Sequence, residues 1–554
     1  VAAAWEDNGS GGGIYLGAVN NNPAATFLMT RTQTSSADVQ INRQGYVLAA
    51  DAALGFGTLD VANNNNPNWG CEIRSDSDSR FLANPRIVAT NNFAFTGLNS
   101  LAVNGTLTQR SNRVVGNNLA AGKELLLNGT DSIPAIAISD RLADGGRTWI
   151  LDGKGTTIVS GRIVNNLEDD ATIVGSLWKR GTGRLELNNP DNSLRGEIQV
   201  QGGLVAFGAD GAWGSTSGVR LFEGGGLAYG PGIGSTGFGT LAAKILPGST
   251  GFLALTGGDA SQNIDFASTL SHVPALSIGA DGDVTYTGRV SPNPAIGYRW
   301  GGLSGTLTLN ENASVGSNNV TYGSGGTVRV HGSQSYTGST SIRQVSLTTA
   351  QEQIAARSGN RGNPELLSFA STLEVTSLAD AGLPSALGES SSAPTNLVID
   401  GGVLRVNADS DTSTNRLFTI GQNGAQFESS GLGAVSFSSN GGLIATSGTG
   451  RRTLTLAGTS PASNRITGIL TNGTDPAADL LGVHKVGRGT WVLNGNNTYD
   501  GDTVVSEGQL FVNGDQSLAS GDYSAMPGGT LGGNGILGGN TIVSGGGTLA
   551  PGND

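Results

Sequence analysis

The sequence predicts an all-β protein built as a parallel β-helix, in which short strands stack coil upon coil along one axis. Three observations lead to this prediction. Two stretches beginning at Lys179 and Lys485 have nearly the same sequence, and spaced self-similarity of strand-like pieces indicates a stacked repeat architecture. Apolar and small polar residues alternate in short runs, as in strands with one buried face. Glycine contributes 90 of the 554 residues, which suits many strands joined by tight turns.

The repeated stretch begins with Lys-x-Gly-x-Gly, continues through alternating apolar residues, and ends in a second block that follows an Asn-containing turn. We expect its inward Leu, Val and Ile side chains to form ladders along the axis, and its turn Asn side chains to stack amide over amide. The two blocks cover residues 179–189 and 192–198 in the first copy, 485–495 and 497–503 in the second, and 328–332 and 335–342 in a third, weaker copy.

The sequence divides into three predicted sections. Residues 1–110 are less regular and rich in Asn, and we interpret them as a divergent section that covers the first coil of the stack. A solenoid needs such an end because its first coil otherwise exposes an apolar face and an unpaired sheet edge. Residues 111–516 are predicted to form the β-helix repeats, with an insertion near 345–366 that contains a helix over 348–357. A second short helix is expected at 377–381.

Residues 517–554 form a Gly-rich repeat with no evident capping element. The stretch Gly528-Gly529-Thr530-Leu531 recurs as Gly546-Gly547-Thr548-Leu549, and the pattern continues to the last residues. We expect that the protein was cut here or that another chain covers this end. Head-to-tail self-association through the end coils follows from the second reading.

Composition and charge exclude several classes of function. The net charge of −12 leaves no basic stripe to displace counterions from nucleic acid, so we expect no nucleic-acid partner. Cys71 is the single cysteine, which rules out an intrachain disulfide framework and a Cys-rich zinc site. No apolar run is long enough for a transmembrane helix, and no signal peptide is evident at Val1. With the repeats, this composition fits a bacterial surface protein that crosses membranes unfolded.

The repeat resembles the autotransporter-associated β-strand repeat of bacterial passenger-type surface proteins. Residues 485–510 match its pattern, Lys-x-Gly-x-Gly-x-Leu-x-Leu-x-Gly-x-Asn-Thr-Tyr-x-Gly-x-Thr-x-Val, with Trp491 at the first leucine. Residues 179–204 match with more departures, including Leu194 at the tyrosine and Ile198 at the threonine. The resemblance implies a right-handed β-helix that is secreted or displayed on a bacterial surface. It implies no activity, because the matched residues are turn and core residues.

Few residues offer catalytic chemistry. The histidines are His272, His331 and His484, and no Gly-x-Ser-x-Gly stands in a strand-turn-helix context, so we interpret all three as structural. Glycosidases use paired carboxylates, and the candidates by composition are Glu168-Asp169-Asp170 and Asp140-Arg141. Charged runs of this kind more often lie in solvated turns. A carbohydrate-active β-helix enzyme, a lyase or glycosidase, remains the alternative function.

Single motifs in the sequence could also bind a metal ion or a sugar. Three Asp-x-Asp pairs offer two hard oxygens each for calcium, but none has a full calcium loop, and Asx turns are the preferred interpretation. The aromatic rings of Trp491 and Tyr499 could stack on sugars, although packing in the repeat core is favoured. The pairs are Asp76 with Asp78, Asp281 with Asp283, and Asp409 with Asp411.

The sequence therefore predicts a non-enzymatic extracellular β-solenoid, a surface stalk or filament subunit that supports adhesion or cell contact. No catalytic residue, cofactor or metal ligand is assigned. The expected partners are further copies of the chain, a surface glycan or another cell-surface molecule.

Overall fold

The computed structural model describes residues 14–16, 26–42, 45–62, 71–129, 132–140, 146–229, 235–257, 259–302, 305–345 and 369–552. These residues fall into two compact units. Unit 1 lies within Val1–Gly257, and unit 2 lies within Gly258–Ser346 and Ser368–Asp554.

In unit 1 the described strands form three parallel sheets. We call a segment of the chain that contributes one strand to each of these sheets in turn a coil. Sheet A consists, in spatial order, of Ile14–Leu16, Val39–Asn42, Leu59–Ala62, Arg86–Ala89, Thr106–Gln109, Ile136–Ser139 and Ile163–Asn166. Sheet B consists of Thr26–Met29, Gly45–Leu48, Cys71–Ser75, Phe93–Gly97, Arg113–Leu119, Thr148–Asp152, Ser176–Lys179, Ile198–Val200 and Val219–Leu221. Sheet C consists of Phe81–Leu82, Leu101–Val103, Glu124–Leu127, Thr156–Val159, Arg184–Leu187, Gly203–Phe207, Gly225–Tyr229 and Phe252–Leu255.

Unit 2 follows the same plan, and its strands form three long parallel sets, which we call sheets D, E and F. Sheet D consists of Ser277–Ala280, Tyr298–Trp300, Val320–Tyr322, Thr340–Arg343, Leu397–Asp400, Thr419–Ile420, Leu443–Thr446 and Ile469–Leu470. Sheet E consists of Asp259–Ala260, Asp283–Tyr286, Thr306–Leu309, Gly326–Val330, Ser371–Val375, Val403–Val406, Ala425–Ser429, Arg452–Gly458, Leu481–Lys485, Thr503–Val505, Tyr523–Ala525 and Thr541–Val543. Sheet F consists of Thr412–Thr414, Val435–Phe437, Ser463–Ile466, Thr490–Leu493, Gly508–Val512, Gly529–Gly533 and Thr548–Pro551. Short parallel pairs join Ile264–Asp265 with Val290–Ser291, Val315–Gly316 with Ser335–Tyr336, and Asp515–Gln516 with Ile536–Leu537.

The core of each unit consists of aligned apolar side chains, as the strand alternation predicts. In sheet E, Leu307, Val328 and Leu373 lie opposite one another in consecutive coils, and all three are buried. Burial alternates strictly along strands such as Thr306–Leu309. Because a parallel strand needs a crossover before the next strand in its sheet, this register confirms the predicted all-β parallel β-helix.

Turn side chains join successive coils through the backbone. Asp78 accepts a hydrogen bond from the Ser100 amide (2.6 Å), and Asp502 accepts one from the Asp522 amide (3.1 Å). In the repeat, the Asn497 side-chain oxygen accepts from the Leu470 amide of the preceding coil (2.9 Å). The repeat asparagine therefore bonds to backbone, whereas the expected amide-on-amide contact occurs at Asn104 and Asn128, where the Asn128 side-chain amide donates to the Asn104 side-chain oxygen (2.9 Å) in successive coils.

Charged side chains alternate on the outer face of sheet E. Arg329, Glu374, Arg405 and Glu428 are register partners in four consecutive coils. Their N–O distances are 2.7, 3.4 and 2.9 Å along the series. Opposite charges on neighbouring strands stabilise a sheet, so we name these four residues the charge ladder.

One α-helix that the sequence did not predict lies among the described residues, at Ser235–Lys244. Its buried residues Phe238, Leu241 and Ala242 have helical spacing. The short helix predicted at 377–381 is wrong. There the Leu378 amide donates to the Thr412 hydroxyl (2.7 Å) and the Ala381 amide donates to the Asn415 side chain (2.8 Å). Both amides are therefore hydrogen-bonded to the next coil and not within a helix. A short 3₁₀ turn covers Pro394–Asn396.

The predicted insertion near 345–366, with its helix, lies outside the described residues except for Val345. Val345 and Phe369 exchange two backbone hydrogen bonds of 2.8 and 3.2 Å, so the residues on either side of the insertion lie next to each other. The described strands before residue 110 pair within the same sheets as those after it, and the proposed division of the chain stays a prediction. Within the described part, no helix is both long enough and apolar enough to cross a bilayer.

Candidate functional site

The two repeat lysines occupy inward positions that elsewhere carry aliphatic side chains. Lys179 lies between Leu151 and Val200 in the register of sheet B. Lys485 lies between Leu456 and Val505 in sheet E. Both are buried, and a buried ammonium group is costly unless it is hydrogen-bonded.

Backbone carbonyls supply those hydrogen bonds. The Lys485 ammonium donates to the carbonyls of Val486 (2.8 Å) and Gly487 in its own turn, and to that of Glu507 (3.0 Å) in the next coil. Lys179 repeats the arrangement with Arg180, Gly181 (3.2 Å) and Gly202 (3.5 Å). Each lysine thus links two coils, and we call the two groups the lysine clamps.

The glycine in each clamp has a conformational reason. Gly181 and Gly487 follow their lysines by two residues and have φ angles of 65° and 70°. This left-handed region is readily adopted by glycine, and it allows consecutive turn carbonyls to reach one ammonium group. The Lys-x-Gly of the repeat is therefore a packing motif.

Burial lowers the pKa of both clamp lysines to about 8, from an ordinary value of 10.5. In the first clamp the Asp152 carboxylate opposes this shift. Burial in turn raises the pKa of Asp152. In sheet E the position corresponding to Asp152 is Ala457, whose carbonyl accepts from the Trp491 indole (2.9 Å).

The tyrosine and threonine of the repeat bond to each other inside the core. The hydroxyls of Tyr499 and Thr503 are 2.7 Å apart, and those of Tyr336 and Thr340 are 2.6 Å apart in the third copy. In the first copy both positions are apolar, Leu194 with Ile198. Trp491 and Tyr499 are buried, so neither ring is available for stacking on a sugar.

The three histidines lie far apart in the sequence and in different elements. His331 is exposed directly after the strand Gly326–Val330, and His272 lies in the loop before Ser277–Ala280. His484 faces outward on sheet E, and its Nε2 lies 2.8 Å from the Ser506 hydroxyl. Burial and the neighbouring Lys485 lower the pKa of His484.

The carboxylates considered for catalysis form structural contacts. Asp140 is buried and pairs with Arg86 and with Arg110 (3.5 Å). Asp169 pairs with Arg162 (3.0 Å). Asp170 accepts bonds from the amide and hydroxyl of Thr172 (2.7 and 2.8 Å), as in an Asx turn. Arg141 lies outside the described residues, and Glu168 is exposed.

The Asp-x-Asp pairs considered for calcium lie in turns. Asp76 pairs with Arg80 (2.7 Å), and Asp78 pairs with Lys123 (2.6 Å). Asp411 accepts from the Ala434 amide of the next coil (2.8 Å). Asp283 and Asp409 are exposed, and Asp281 lies two residues before the strand Asp283–Tyr286. Across the described ranges, no group of three or more His, Cys, Asp or Glu side chains could hold a metal ion.

A recess of about 290 Å³ opens on the outer face of sheet E in unit 2. Its floor includes Gly482, which lies opposite Thr453 in the register of the sheet. Its rim includes Arg451, Thr453, His484 and Asp502. Three successive coils supply these residues, and an outward glycine in a strand is the one sequence signal that could have indicated a depression there.

The fold and its repeats can now be compared with known proteins. A model of the family described as passenger-associated-transport-repeat matches residues 177–206 and 483–510, which contain the two lysine clamps. Over 468 residues, or 81% of this chain, the sequence is 29% identical to the protein named "Adhesin BmaC autotransporter" from Brucella suis biovar 1 (strain 1330). The aligned part is 11% of that relative, so the chain spans a small part of its length. No solved structure matches the chain.

These findings support the resemblance to autotransporter passenger-type repeat proteins that the sequence indicated. The chain carries two passenger-associated transport repeats within a parallel β-helix. Proteins of this type are secreted and lie outside the cell or on its surface, and the predicted extracellular, cell-surface location agrees with the comparisons.

Proposed function

We propose that this chain is a non-enzymatic, β-helical part of a bacterial surface protein that supports adhesion or cell contact. The observation that carries the proposal is the similarity, along 81% of the chain, to a protein named as an autotransporter adhesin. The continuous parallel ladders of both units fit a scaffold role, because each coil is bonded along its length to its neighbours. The partner is a glycan or another molecule of a cell surface.

Adhesion can be tested directly with the purified chain. Latex beads coated covalently with the chain should bind to cultured mammalian epithelial cells several-fold more than beads coated with serum albumin, which is also acidic. Soluble chain should compete with the coated beads. Equal binding of both kinds of bead would contradict adhesion, and release of reducing ends from an acidic polysaccharide would contradict the non-enzymatic role.

We further propose that the last described coil pairs with another copy of the chain. Its strand Thr541–Val543 is exposed throughout, and Ile542, Val543 and Leu549 are 49, 45 and 48% exposed. Among the described strands Thr541–Val543 pairs only with Tyr523–Ala525, and apolar side chains on such an edge strand are a ready template for strand addition. A second copy would cover both the apolar face and the free backbone groups.

Sedimentation velocity tests this pairing. The chain should form larger species as its concentration rises, and Ile542→Asp combined with Val543→Asp should abolish them. Leu432→Asp is the matched control, because Leu432 is also exposed in unit 2 but lies in a turn between inner coils. A chain that stays monomeric at the highest soluble concentration would refute the pairing and leave the adhesion proposal standing.

A further inference from the structure

The recess on sheet E gathers polar groups whose hydrogen-bonding capacity is unused within the protein. In the part of the chain that the structure describes, neither the guanidinium of Arg451 nor the hydroxyl of Thr453 has a hydrogen-bond partner, and both residues are exposed. Asp502 is exposed and accepts a bond from the Asp522 amide through Oδ1, so Oδ2 can accept another. A donor, an acceptor and a hydroxyl thus border one depression.

The floor and wall of the recess allow a ligand to approach the backbone of sheet E closely. Gly482 lies on the outer face of its strand without a side chain, between Thr453 on one neighbouring strand and Asp502 at the edge of the next. Val504 provides an apolar side next to His484. A flat ligand with polar edges and a C–H face could therefore lie on the backbone at Gly482.

The size and charge of the recess narrow the ligand class. A volume of about 290 Å³ is at the lower end of small-molecule sites, which fits one sugar ring better than a peptide or a nucleotide. The cation of Arg451 is balanced by the carboxylate of Asp502, and that of Arg452, which also lines the recess, is balanced by Asp479 at 3.8 Å. Burial and Lys485 lower the pKa of His484, so its imidazole is neutral at pH 7 and adds no charge. A neutral ligand rich in hydroxyl groups suits this balance.

We propose that this recess binds a single neutral pyranose residue of a surface glycan. Arg451 donates to one ring hydroxyl oxygen, and the Asp502 carboxylate accepts from a neighbouring hydroxyl. Thr453 bonds to a third hydroxyl, while Val504 contacts the C–H face of the sugar. This inference rests on the proposed adhesive function, for which it names the chemical class of the partner and the residues that contact it.

Saturation-transfer-difference NMR tests the recess with methyl glycosides of galactose, mannose and N-acetylglucosamine, and an array of neutral and acidic glycans tests longer ligands. We expect transfer to at least one glycoside with millimolar affinity, and array binding restricted to glycans that contain it. Arg451→Ala should weaken binding about tenfold, the effect of losing one hydrogen bond from a charged donor. Arg488→Ala is the matched control, because Arg488 is an exposed arginine of the same unit outside the recess.

A second variant fills the recess. Thr453→Phe should abolish glycoside binding, whereas Thr306→Phe, on the outer face of another strand of sheet E, should not. Circular dichroism confirms that both variants fold, and Arg451→Ala serves alone if one does not. No transfer to any glycoside together with no array binding would overturn the proposal, as would binding that survives Thr453→Phe or binding of acidic glycans alone.

Bead adhesion separates this inference from the function on which it rests. If coated beads bind cells equally well with wild-type and Arg451→Ala chains and no glycan binds, the recess is not the site but adhesion stands. If glycans bind and beads do not adhere, the recess stands and the adhesive function falls.

Discussion

At the scale of single residues, the lysine clamps show how a charged side chain can occupy an aliphatic position. Lys485 fills the space between Leu456 and Val505 with its methylene groups, and its ammonium group ends at three carbonyls. The cost of burying the charge is offset by carbonyls that have few other donors within reach. In the clamp, the cost of burying the ammonium group is therefore offset by its hydrogen bonds to three backbone carbonyls.

Lys485→Met tests this balance. Methionine keeps the apolar bulk but leaves three carbonyls without their donor, and we expect a loss of about 2 kcal/mol in the free energy of unfolding. Lys154→Met, at an exposed lysine, should change it by less than about 0.5 kcal/mol. Denaturant titration at pH 7 measures both. Equal stability of the two variants would show that the clamp contributes nothing.

The clamp pKa values predict a specific pH dependence. Between about pH 8 and 10.5 the folded state has lost the Lys179 and Lys485 protons that the unfolded state still binds. Stability contributed by each lysine therefore rises with pH in this window, by up to about 1.4 kcal/mol per pH unit. Below pH 8 both states are protonated, and the contribution is flat.

Unfolding at pH 7.5 and 9.5 checks this sign. The free energy of unfolding of the wild-type chain minus that of the Lys179→Met and Lys485→Met double variant should be larger at pH 9.5 than at pH 7.5. The comparison removes the titration of all other groups. A difference that stays constant or shrinks would mean that the carbonyls hold the clamp lysines protonated.

At the scale of elements, neighbouring coils are matched through aligned side chains. The charge ladder of sheet E places Glu374 between Arg329 and Arg405, and the Glu374 side chain is only 8% exposed. Neutralising it leaves two guanidinium groups beside each other. An exposed pair such as Arg488 with Glu507 has no such constraint, because solvent screens it.

Glu374→Gln should therefore destabilise the protein by about 1 to 2 kcal/mol, since it removes the negative charge and one of the two oxygens that accept from Arg329 and Arg405 in a nearly buried position. Glu72→Gln, the control at the exposed Arg74–Glu72 pair, should cost no more than about 0.5 kcal/mol. Thermal unfolding of the two variants under the same buffer provides the comparison. Similar losses of stability in both variants would show that the charge ladder contributes no more than an exposed ion pair.

At the scale of the whole molecule, stability is distributed among neighbouring coils within each unit. In stacked repeats, each coil contacts chiefly the coils before and after it, and local openings follow the same pattern. The lysine clamps lie in different units, Lys179 in unit 1 and Lys485 in unit 2. The destabilisation caused by a substitution in either clamp should therefore be confined to the neighbouring coils.

Hydrogen exchange of single clamp variants tests this locality. Lys179→Met should speed the exchange of amides in residues 148–221, and Lys485→Met should speed it in residues 452–533, the coils adjoining each clamp. The amides of the remaining coils serve as internal controls within each variant. A uniform increase across the described chain would instead indicate a single cooperative core.

The sequence predicted the features that depend on local alternation and repetition. Runs such as Thr306–Leu309 alternate with period two, and the Lys-x-Gly repeat recurs, so strands and stacking could be recognised. The helix at Ser235–Lys244 escaped prediction because its two glycines lower the helical propensity around three buried residues at helical spacing. The helix expected at 377–381 failed because its amides bond to the following coil.

The sequence by itself determined the architecture of this protein, since strand-like pieces that recur as a repeat bury their apolar faces by stacking on neighbouring copies. The tertiary structure alone decided the roles of individual polar residues. It buried Lys485 against carbonyls of two coils and brought Arg451, Gly482 and Asp502 to one recess. The physical reason is that these contacts join different coils, and which side chains meet there depends on the register between strands.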